Sequence, residues 1–429
     1  MKRIVLLSLA FSLVACQSQS DPDLDQTGER PDLPQQSDTL LPAMKIPTPK
    51  GWDGELPTVP EGFTVTAIAK DLKIPRQMLL LPNGDILVAE GSGGHAPAVR
   101  PKDVIAGMIK KRGKSSVEGG NRITLLRDRD GDGQTDLQTT FIDGLDAPYG
   151  LAFVDGKIYV ANQGNLVSFD YTEGATRIDG PGTEVTKLPS VINHHWTKSL
   201  TAGPDGSRLY VGIGSNSNVG ERGMGVEQDR AVIWEIDRQS GMHRTYASGI
   251  RNPTALAIEP RTQRLWAVVN ERDELGPQLV PDYLTSVRPG AFYGWPYSYW
   301  GQHVDPRVRP QDPEKVESAI APDYSLGSHV APLGLAFSTP EMGDEFAEGV
   351  FIGEHGSWNR ADPVGYKVVF VPFSNGQPSG DPIDFVSGFL TDDGRTRGRP
   401  VGVTIDPDGA LIIADDLTNA IWRVTPDSP

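Results

Sequence analysis

Two adjacent histidines, His194 and His195, lie in the run NHHW at 193–196 and are the first candidates for chemistry in this sequence. A neutral imidazole can accept a proton near pH 7, so the pair could supply a general base. A purely structural histidine pair is the competing interpretation. A second run, GIRNP at 249–253, carries Arg251 and Asn252. Its guanidinium could bind a carboxylate through two hydrogen bonds, or form a surface ion pair.

Two further runs combine charged side chains with aromatic or small residues. The run NERDELG at 270–276 crowds oxygen donors into a few positions and predicts either a Ca²⁺ site or a solvated charged loop. The run EHGSWNR at 354–360 brings a histidine, a tryptophan and an arginine together after an apolar stretch, which favours a ligand site over a turn. A serine-hydrolase interpretation is poor, because these runs lack the Gly-x-Ser-x-Gly pattern.

An acidic run, DRDGDGQTD at 128–136, imitates the start of an EF-hand loop. Aspartates occupy positions 1, 3, 5 and 9 and glycine occupies position 6, but position 12 is Thr139 instead of a bidentate glutamate. The run therefore predicts either a weak Ca²⁺ site or a plain Asp-Gly turn. Its candidate ligands are Asp128, Asp130, Asp132 and Asp136.

A pattern that occurs six times must position these runs. Each copy is a short apolar stretch, a turn built on Pro, Asp or Gly, and a second apolar stretch that ends in small or polar residues, which is typical of a β-hairpin. The copies begin about 50 to 80 residues apart, which leaves room for two more strands each. They begin at Arg76, Pro148, Lys198, Asn252, Pro332 and Arg399.

Repeated four-stranded units of this size predict an all-β fold, a six-bladed β-propeller of four-stranded antiparallel blades, over residues 48–429. A pair of β-sandwiches or a chance series of hairpins is the alternative. In a propeller the innermost strands line an axial channel, and the residues that follow the paired strands gather at one mouth. Insertions at 91–121 and 272–330 are expected to wall that mouth. The residues expected there are Glu90, Asn162, Ser215, Asn270, Glu271, His355, Asp415 and Asp416.

Composition and the first residues restrict the class of protein. With 56 acidic and 40 basic residues the formal net charge is −16, which argues against a nucleic-acid partner. Lys2, Arg3 and a short apolar run predict a secretory signal over 1–15. The run LVAC at 13–16 spans its predicted end. Beyond this signal no apolar run is long enough to span a membrane.

The single cysteine, Cys16, ends a sequence that resembles the bacterial lipobox, so we expect it to be lipidated, with an ordinary signal peptide as the alternative. Gln17 after the cysteine favours the outer membrane over the inner one, and the protein would face the periplasm, held to the membrane by the lipid alone. Residues 16–47 are polar, acidic and rich in proline, which predicts a disordered tether behind the lipid.

Taken together, the runs resemble the PQQ-dependent glucose/sorbosone dehydrogenase family, in particular its sorbosone-dehydrogenase-like branch. The resemblance spans most of residues 62–425 and rests on long stretches. It implies a six-bladed propeller that binds pyrroloquinoline quinone (PQQ) and Ca²⁺ at the channel mouth. The matching stretches are RDRDGDGQTD, HHWTKSL, GIRNP, NERDELG with LVPDYLTSV, FYGWPYSYWGQHVDPRV, EHGSWNR with GYKVVFVPF, and GRPVGV.

The resemblance also implies roles for individual residues. His195 would be the general base that takes the proton of the substrate hydroxyl while hydride passes to the quinone. Arg251 and Asn252 would contact the quinone and stabilise developing charge. Oxygen atoms around Asp273 and Glu274 would hold Ca²⁺, which acts as a Lewis acid. The remaining predicted cofactor contacts are Arg76, Arg272, His355, Trp358, Arg360 and Arg399.

Three positions differ from the glucose-oxidising branch. Ser215 stands where that branch has an aspartate, a quinone-contacting glutamine has no counterpart near Gly150, and the quinone-binding lysine is replaced at best by Arg360. These differences fit the sorbosone-like branch.

The sequence therefore predicts an exported quinoprotein that oxidises a sugar or a sugar-derived aldehyde or hemiacetal to a lactone or acid. The chain lacks a Cys-x-x-Cys-His haem motif, so the electron acceptor must be a separate molecule. A propeller lipoprotein that only binds its ligand, and a Ca²⁺-dependent lactonase, are the alternatives.

Overall fold

Six antiparallel β-sheets form a ring in the computed structural model, which describes residues 20–37, 45–94, 97–98, 107–108 and 118–427. The predicted six-bladed β-propeller is confirmed. The signal over 1–15 and the cysteine at position 16 lie outside the described residues. In the described part of the chain, no helix has the length and apolar character needed to cross a bilayer.

Each blade begins with its innermost strand and proceeds outwards. Blade 1 comprises Pro75–Leu80, Ile86–Glu90, Arg122–Arg127 and Leu137–Ile142; blade 2 comprises Gly150–Val154, Lys157–Ala161, Asn165–Asp170 and Thr183–Lys187; blade 3 comprises Lys198–Ala202, Arg208–Ile213, Val232–Asp237 and His243–Ser248. Blade 4 comprises Pro253–Ile258, Leu265–Val269, Pro281–Ser286 and Tyr324–Ser328; blade 5 comprises Pro332–Phe337, Gly349–Glu354, Lys367–Ser374 and Ile383–Val386, with Gln377–Pro378 paired at the end of its third strand; blade 6 comprises Pro400–Ile405, Leu411–Asp415, Ala420–Pro426 and Phe63–Ala69.

Short elements decorate the ring. They are the strands Thr27–Gly28, Thr48–Pro49, Ser298–Tyr299, His303–Val304 and Arg395–Thr396, the helix Pro313–Ser318 and the 3₁₀ turns Met224–Glu227 and Pro340–Met342.

The second strand of a blade is buried on both faces, which explains its continuous apolar sequence. All five residues of Ile86–Glu90 are buried. Because successive side chains of a strand point to opposite faces, Leu87 and Ala89 pack towards blade 2, whereas Ile86 and Val88 pack towards blade 6. The hydrophobic core is therefore divided into layers between neighbouring blades.

Small residues let the innermost strands approach closely around the axis. A Cβ atom added to Gly150 would lie 2.5 Å from the carbonyl oxygen of Lys198, and one added to Gly402 would lie 2.4 Å from that of Arg76. Blades 3 and 4 use short hydroxyl side chains here instead. Ser199 donates to the carbonyl oxygen of Pro253 at 2.8 Å. Close packing of the innermost strands around the channel thus explains why the repeats have glycine at these positions.

The ring is closed in blade 6, where a strand that precedes blade 1 pairs with the last strand of the chain. Phe63–Ala69 pairs antiparallel with Ala420–Pro426 and completes the blade. Because these two distant parts of the chain share one sheet, neither strand can detach without breaking the blade. This pairing stabilises the ring.

Residues 20–37 differ from the predicted disordered tether. Thr27–Gly28 pairs with the outer strand of blade 4, and Leu33 packs against a buried cluster beside the mouth. Backbone groups and single side chains hold this segment, so its binding does not require apolar periodicity. Its composition can therefore be that of a flexible linker.

Candidate active site

The mouth of the channel is formed where second strands end and innermost strands begin. Because the strands are antiparallel, Glu90 pairs with Pro75 and Asp415 pairs with Pro400. Arg76 and Arg399, next to these prolines, therefore lie at the same end of the ring as the polar residues that follow the second strands. The run at 128–136 is an exception, because it follows the far end of the third strand of blade 1.

His195 is fixed at the mouth by the backbone of blade 3. Its Nδ1 lies 2.9 Å from the carbonyl oxygen of Ser215 and 3.0 Å from the Ser215 hydroxyl. The Ser215 hydroxyl itself donates to the carbonyl oxygen of Ser217 at 2.6 Å. Both atoms that face Nδ1 are therefore acceptors, and we assign the tautomer that carries its proton on Nδ1. This tautomer places a basic lone pair on Nε2.

The loop that carries His195 is anchored by two buried cations. The Asn193 side-chain oxygen accepts hydrogen bonds from Lys198 at 3.2 Å and from Arg230 at 3.3 Å. Arg230 also donates to the carbonyl oxygen of His195 at 2.9 Å. Burial lowers the pKa of Lys198 well below its usual value, and the nearby Arg230 lowers it further. These contacts restrict the position of the imidazole.

Arg76, His355 and Arg399 meet at one carboxylate, that of Asp416. The distances to its oxygens are 2.8 Å from Arg76 Nη1, 3.1 Å from His355 Nε2 and 3.1 Å from Arg399 Nε. Burial opposes ionisation of Asp416, but the charges of Arg399, His355 and Arg76 outweigh it and hold its pKa well below the usual range. Burial lowers the pKa of His355 despite its contact with Asp416. The cluster joins blades 1, 5 and 6.

An aromatic residue connects this cluster to His195. The guanidinium carbon of Arg76 lies 5.5 Å from the centroid of the Trp196 ring, a cation–π distance. Trp196 also packs edge-on against Tyr149, with ring centroids 5.6 Å apart. The candidate base and the arginine cluster therefore share one wall of the mouth.

The loop at 270–274 lies across the mouth and is held from beneath by Arg251. Nη1 of Arg251 donates to the carbonyl oxygens of Asn270 at 3.1 Å and Glu271 at 2.6 Å. Nη2 donates to the Asn218 side-chain oxygen at 2.9 Å and lies 3.6 Å from the Asp273 carboxylate. Arg251 is thus buried against this loop.

Asp273 links that loop to the run at 354–360. Its carboxylate accepts a hydrogen bond from Asn359 Nδ2 at 2.6 Å, and its carbonyl oxygen accepts one from Asn218 at 3.0 Å. Asn252 lies beside blade 3. A Cβ atom added to Gly214, just after the second strand of that blade, would be 2.3 Å from the side-chain oxygen of Asn252. Contacts therefore run around the mouth from one blade to the next.

The remaining predicted contacts are made with residues of the surrounding segments. Arg272 is buried in an ion pair with Asp305, and Glu274 lies 3.9 Å from Arg307. Arg360 donates to the hydroxyl of Ser20 at 3.0 Å. The carbonyl oxygen of Trp358 accepts the N–H of Lys45 at 3.0 Å.

The aspartates of the EF-hand-like run lie on the opposite face of the ring. Arg122, which pairs with Glu90, begins the third strand of blade 1 at the mouth, and Arg127 ends that strand at the far face. Ligand oxygens of Asp128, Asp130 and Asp136 lie within 4.8 Å of one another and are exposed, and Asp132 falls outside this group. Asp128 also accepts backbone hydrogen bonds from Gly131 and Gly133 at 2.7 Å each, as an Asp-Gly turn would.

Several contacts at the mouth escaped the sequence analysis. The sequence places Asp416 only at a strand end, whereas its role as the shared counter-charge depends on the geometry of three blades. Asn218 and Asn359 bind the 270–274 loop from different insertions. No repeat or spacing in the sequence indicates such contacts.

Three carboxyl groups are buried close to the loop. Burial raises the pKa of Glu271 to about 7 and the pKa values of Asp282 and Glu354 to about 8. Asp282 accepts the backbone N–H groups of Glu271 at 2.7 Å and Ala331 at 2.8 Å. Among the described residues, Oε2 of Glu354 has no hydrogen-bond partner.

The residues at the mouth fit an anionic, hydrogen-bonding cofactor and an oxygen-preferring cation. Arg76, Arg399 and His355 present donors, and the side-chain oxygen of Asn252 is buried without a partner. The side-chain oxygens of Asn270 and Asn359, at the candidate cation loop, are likewise buried without partners. Ca²⁺ takes amide and carboxylate oxygens of this kind.

Comparisons with known proteins identify the family of this chain. The profile of the TrAA12-like family matches residues 57–281 and 300–427. An uncharacterized protein of Borreliella burgdorferi is 30% identical over 292 residues, covering 65% of this chain and 76% of the relative. The pyrroloquinoline quinone-dependent pyranose dehydrogenase of Coprinopsis cinerea is 23% identical over 335 residues, covering 65% of this chain and 44% of the relative. The match thus spans less than half of that enzyme.

Solved structures share the fold. The calcium structure of the Trichoderma reesei AA12 carbohydrate-active enzyme has a TM-score of 0.70 at 20% identity and covers 86% of this chain and 97% of that one. The holo PQQ domain of the Coprinopsis cinerea pyranose dehydrogenase has a TM-score of 0.69 at 20% identity and covers 88% of this chain and 98% of that one. With the family profile matching most of its length, the chain belongs to the TrAA12-like family, within the superfamily of PQQ-dependent sugar dehydrogenases.

Proposed function

We propose that the protein is a PQQ- and Ca²⁺-dependent dehydrogenase that oxidises a sugar, or a sugar-derived aldehyde or hemiacetal, to a lactone or acid. One observation carries the proposal: a histidine of fixed tautomer, His195, shares the channel mouth with the Arg76–His355–Arg399 cluster. Membership of the TrAA12-like family and the names of the relatives support it.

His195 acts as the general base. Its Nδ1–H donates to the carbonyl oxygen of Ser215, so Nε2 is the atom that takes the proton of the substrate hydroxyl. Once Nε2 is protonated, the imidazolium charge is stabilised by the two oxygens of Ser215 that face Nδ1. Arg230 and Asn193 keep the loop in place while the proton moves.

Arg76, Arg399, His355 and Asn252 are the residues that hold the cofactor. PQQ, when bound, supplies the two-electron acceptor that the chain itself lacks. Guanidinium groups suit its carboxylates because they present paired N–H donors. The Trp196 ring lies at cation–π distance from Arg76 and would help to orient its guanidinium.

The loop at 270–274 holds Ca²⁺ through oxygens near Asp273 and Glu274, with Asn270 and Asn359 available as further donors. Arg251 supports the loop from beneath and orients its backbone. The finer assignment to the sorbosone-dehydrogenase-like branch is also a proposal, supported by Ser215 at the position beside the base. We propose a separate molecule as the electron acceptor.

Reconstitution tests the proposal. The purified protein is incubated with PQQ and Ca²⁺, and the bound quinone is followed by its absorbance. Aldoses, sorbosone and other sugar aldehydes are then offered with an artificial redox dye. We expect quinone uptake and sugar-dependent dye reduction. A protein that shows neither is not a dehydrogenase, and lactone hydrolysis without PQQ would identify a lactonase instead.

Substitution of the base tests the mechanism. His195→Ala should lower turnover by about 10²- to 10⁴-fold, because general-base catalysis typically contributes that much. PQQ should still bind, since the Arg76–Asp416–Arg399 cluster remains. The matched control is His243→Ala, at an exposed histidine on the outer strand of blade 3. Near-normal turnover of the His195 variant would remove His195 from this role.

We further propose that the protein is exported and lipidated at Cys16, which would hold it at the outer membrane facing the periplasm. Ser20 contacts Arg360 beside the mouth. Four extended residues span at most about 14 Å, so a lipid on Cys16 would hold this face of the ring close to the bilayer. Mass spectrometry of the protein from membranes tests this proposal, because an unmodified Cys16 would exclude the anchor.

A further inference from the structure

Residues 20–37, the N-terminal strap, bind the segment 275–280 that follows the proposed Ca²⁺ loop. The backbone N–H of Asp21 donates to the side-chain oxygen of Gln278 at 2.6 Å, and Nε2 of Gln278 donates back to the carbonyl oxygen of Asp21 at 2.7 Å. At the other end of the strap, the N–H of Ser37 donates to the carbonyl oxygen of Leu275 at 2.8 Å. The strap therefore holds this segment at both ends.

An apolar contact lies between these two hydrogen-bonded points. Leu33 packs against the buried cluster of Leu275, Leu279, Val280 and Tyr299. Removing the side chain of Leu33 would open this cluster to water. The strap thus replaces solvent over the segment, which gives it a direct part in the conformation of the loop.

The strap also joins this segment to the walls of the mouth. Arg307 Nη2 donates to the carbonyl oxygen of Ser37 at 3.1 Å, and Arg360 Nη2 donates to the hydroxyl of Ser20 at 3.0 Å. Gln36 Nε2 donates to the hydroxyl of Tyr299 at 2.9 Å. The strap is therefore bound both to the insertion at 272–330 and to the run at 354–360.

We propose that the N-terminal strap is a positioning element of the cofactor site: it holds residues 271–280 in the conformation that binds Ca²⁺ and, through Ca²⁺, PQQ. Residues behind metal ligands orient those ligands, and their loss typically weakens metal binding about 10- to 100-fold. The inference rests on the proposed function.

Two substitutions at Leu33 test the inference in the full chain. Leu33→Asp removes the apolar contact and places a charge against the cluster, whereas Leu33→Ala removes the contact alone. The matched control is Arg30→Ala, at an exposed position of the same strap. All variants also carry Asp130→Asn, so that the acidic run on the opposite face does not contribute to Ca²⁺ titrations.

Three measurements are made. Hydrogen exchange of residues 271–280 is followed without ligand, Ca²⁺ binding is measured by calorimetry, and PQQ uptake is measured by absorbance. We expect both Leu33 variants to show faster exchange in 271–280 and a Ca²⁺ dissociation constant about tenfold or more above that of the control. PQQ uptake should require correspondingly more Ca²⁺.

Failure of the inference and failure of the proposed function give different results. If the control binds Ca²⁺ and PQQ and the Leu33 variants bind them equally well, the strap is only a cover and the inference is wrong. If the control itself binds neither, the proposed function is wrong and the inference falls with it. Faster exchange without weaker Ca²⁺ binding would also overturn the positioning role.

Discussion

Glu354 should make the protein less stable as the pH rises from 6 to 8, and Glu354→Gln should remove that effect. The side chain lies at the end of the second strand of blade 5, next to His355, and is 2% exposed. Burial raises its pKa to about 8 from the usual 4.5. Because its Oε2 has no hydrogen-bond partner, the isosteric amide loses no contact there.

The magnitude follows from the difference between the two pKa values. Between pH 6 and pH 8 the carboxyl is ionised in the unfolded chain and largely protonated in the folded one, so the unfolded state binds fewer protons. The free energy of unfolding must therefore fall as the pH rises, by up to about 1.4 kcal/mol per pH unit. With titration of the folded state near pH 8, Glu354 alone removes about 2 kcal/mol over this range.

Urea unfolding at pH 6, 7 and 8, followed by tryptophan fluorescence, measures the effect. Compared with the wild-type chain, Glu354→Gln should gain about 2 kcal/mol in relative stability between pH 6 and pH 8. The control is Glu345→Gln, which removes an exposed carboxylate from the same blade and should give a constant difference. A difference for Glu354→Gln that is the same at all three pH values would refute the assignment of a raised pKa to this group.

Three other substitutions test the geometry of the mouth and its separation from the opposite face. Ser215→Ala should lower turnover by less than about tenfold, because the carbonyl oxygen of Ser215 still orients His195 and a neutral hydrogen bond contributes only about 1 kcal/mol; a loss as large as that of His195→Ala would show that the hydroxyl is essential. Asp130→Asn should leave Ca²⁺-dependent dye reduction unchanged, because its run lies on the face opposite the mouth, whereas Asp273→Asn should raise the Ca²⁺ concentration required for activity. Equal effects of these two aspartate substitutions would contradict the separation of the two sites.

The six repeats made the fold predictable, because each one encodes a hairpin whose second strand is buried on both faces. Strands such as Ile86–Glu90 and Leu411–Asp415 are recognisable from apolar residues followed by an acidic one. Antiparallel pairing then places the ends of all six second strands at one mouth. Arg76, His355 and Arg399 could therefore be assigned to one site before any distance was known.

The sequence does not predict the contacts that irregular segments make. Asn218 and Asn359 reach Asp273 from loops whose course depends on the packing of whole insertions. The sequence predicts that Arg272 faces a cofactor, whereas in the structure its guanidinium pairs with Asp305 and donates to the carbonyl oxygen of Asp273 at 3.1 Å. The contacts of the strap are not predictable for a related reason, because a segment bound through its backbone has no characteristic composition.

Asp416 gives the mouth its electrostatic character before any ligand binds. One carboxylate is shared by two guanidinium groups, and both Arg399 and Asp416 are almost fully buried, with side chains 3% and 4% exposed. The carboxylates of an anionic cofactor would therefore meet the guanidinium groups of Arg76 and Arg399 at this cluster. Burial lowers the pKa of His355 and so opposes a positive charge on its ring.

Asp416→Asn should therefore have two effects of opposite sign. Without cofactor, Arg76 and Arg399 lose their shared counter-charge, and removal of one partner from a buried ion pair typically destabilises a protein by about 3–5 kcal/mol. With PQQ and Ca²⁺, the carboxylates of the cofactor would replace that counter-charge, so the rise in melting temperature on ligand binding should be larger for the variant than for the wild-type chain. The matched control is Asp384→Asn, which breaks an exposed pair with Lys367 and should change neither quantity appreciably. A variant that PQQ stabilises no more than it stabilises the wild-type chain would show that the Arg76–Arg399 cluster does not receive the cofactor.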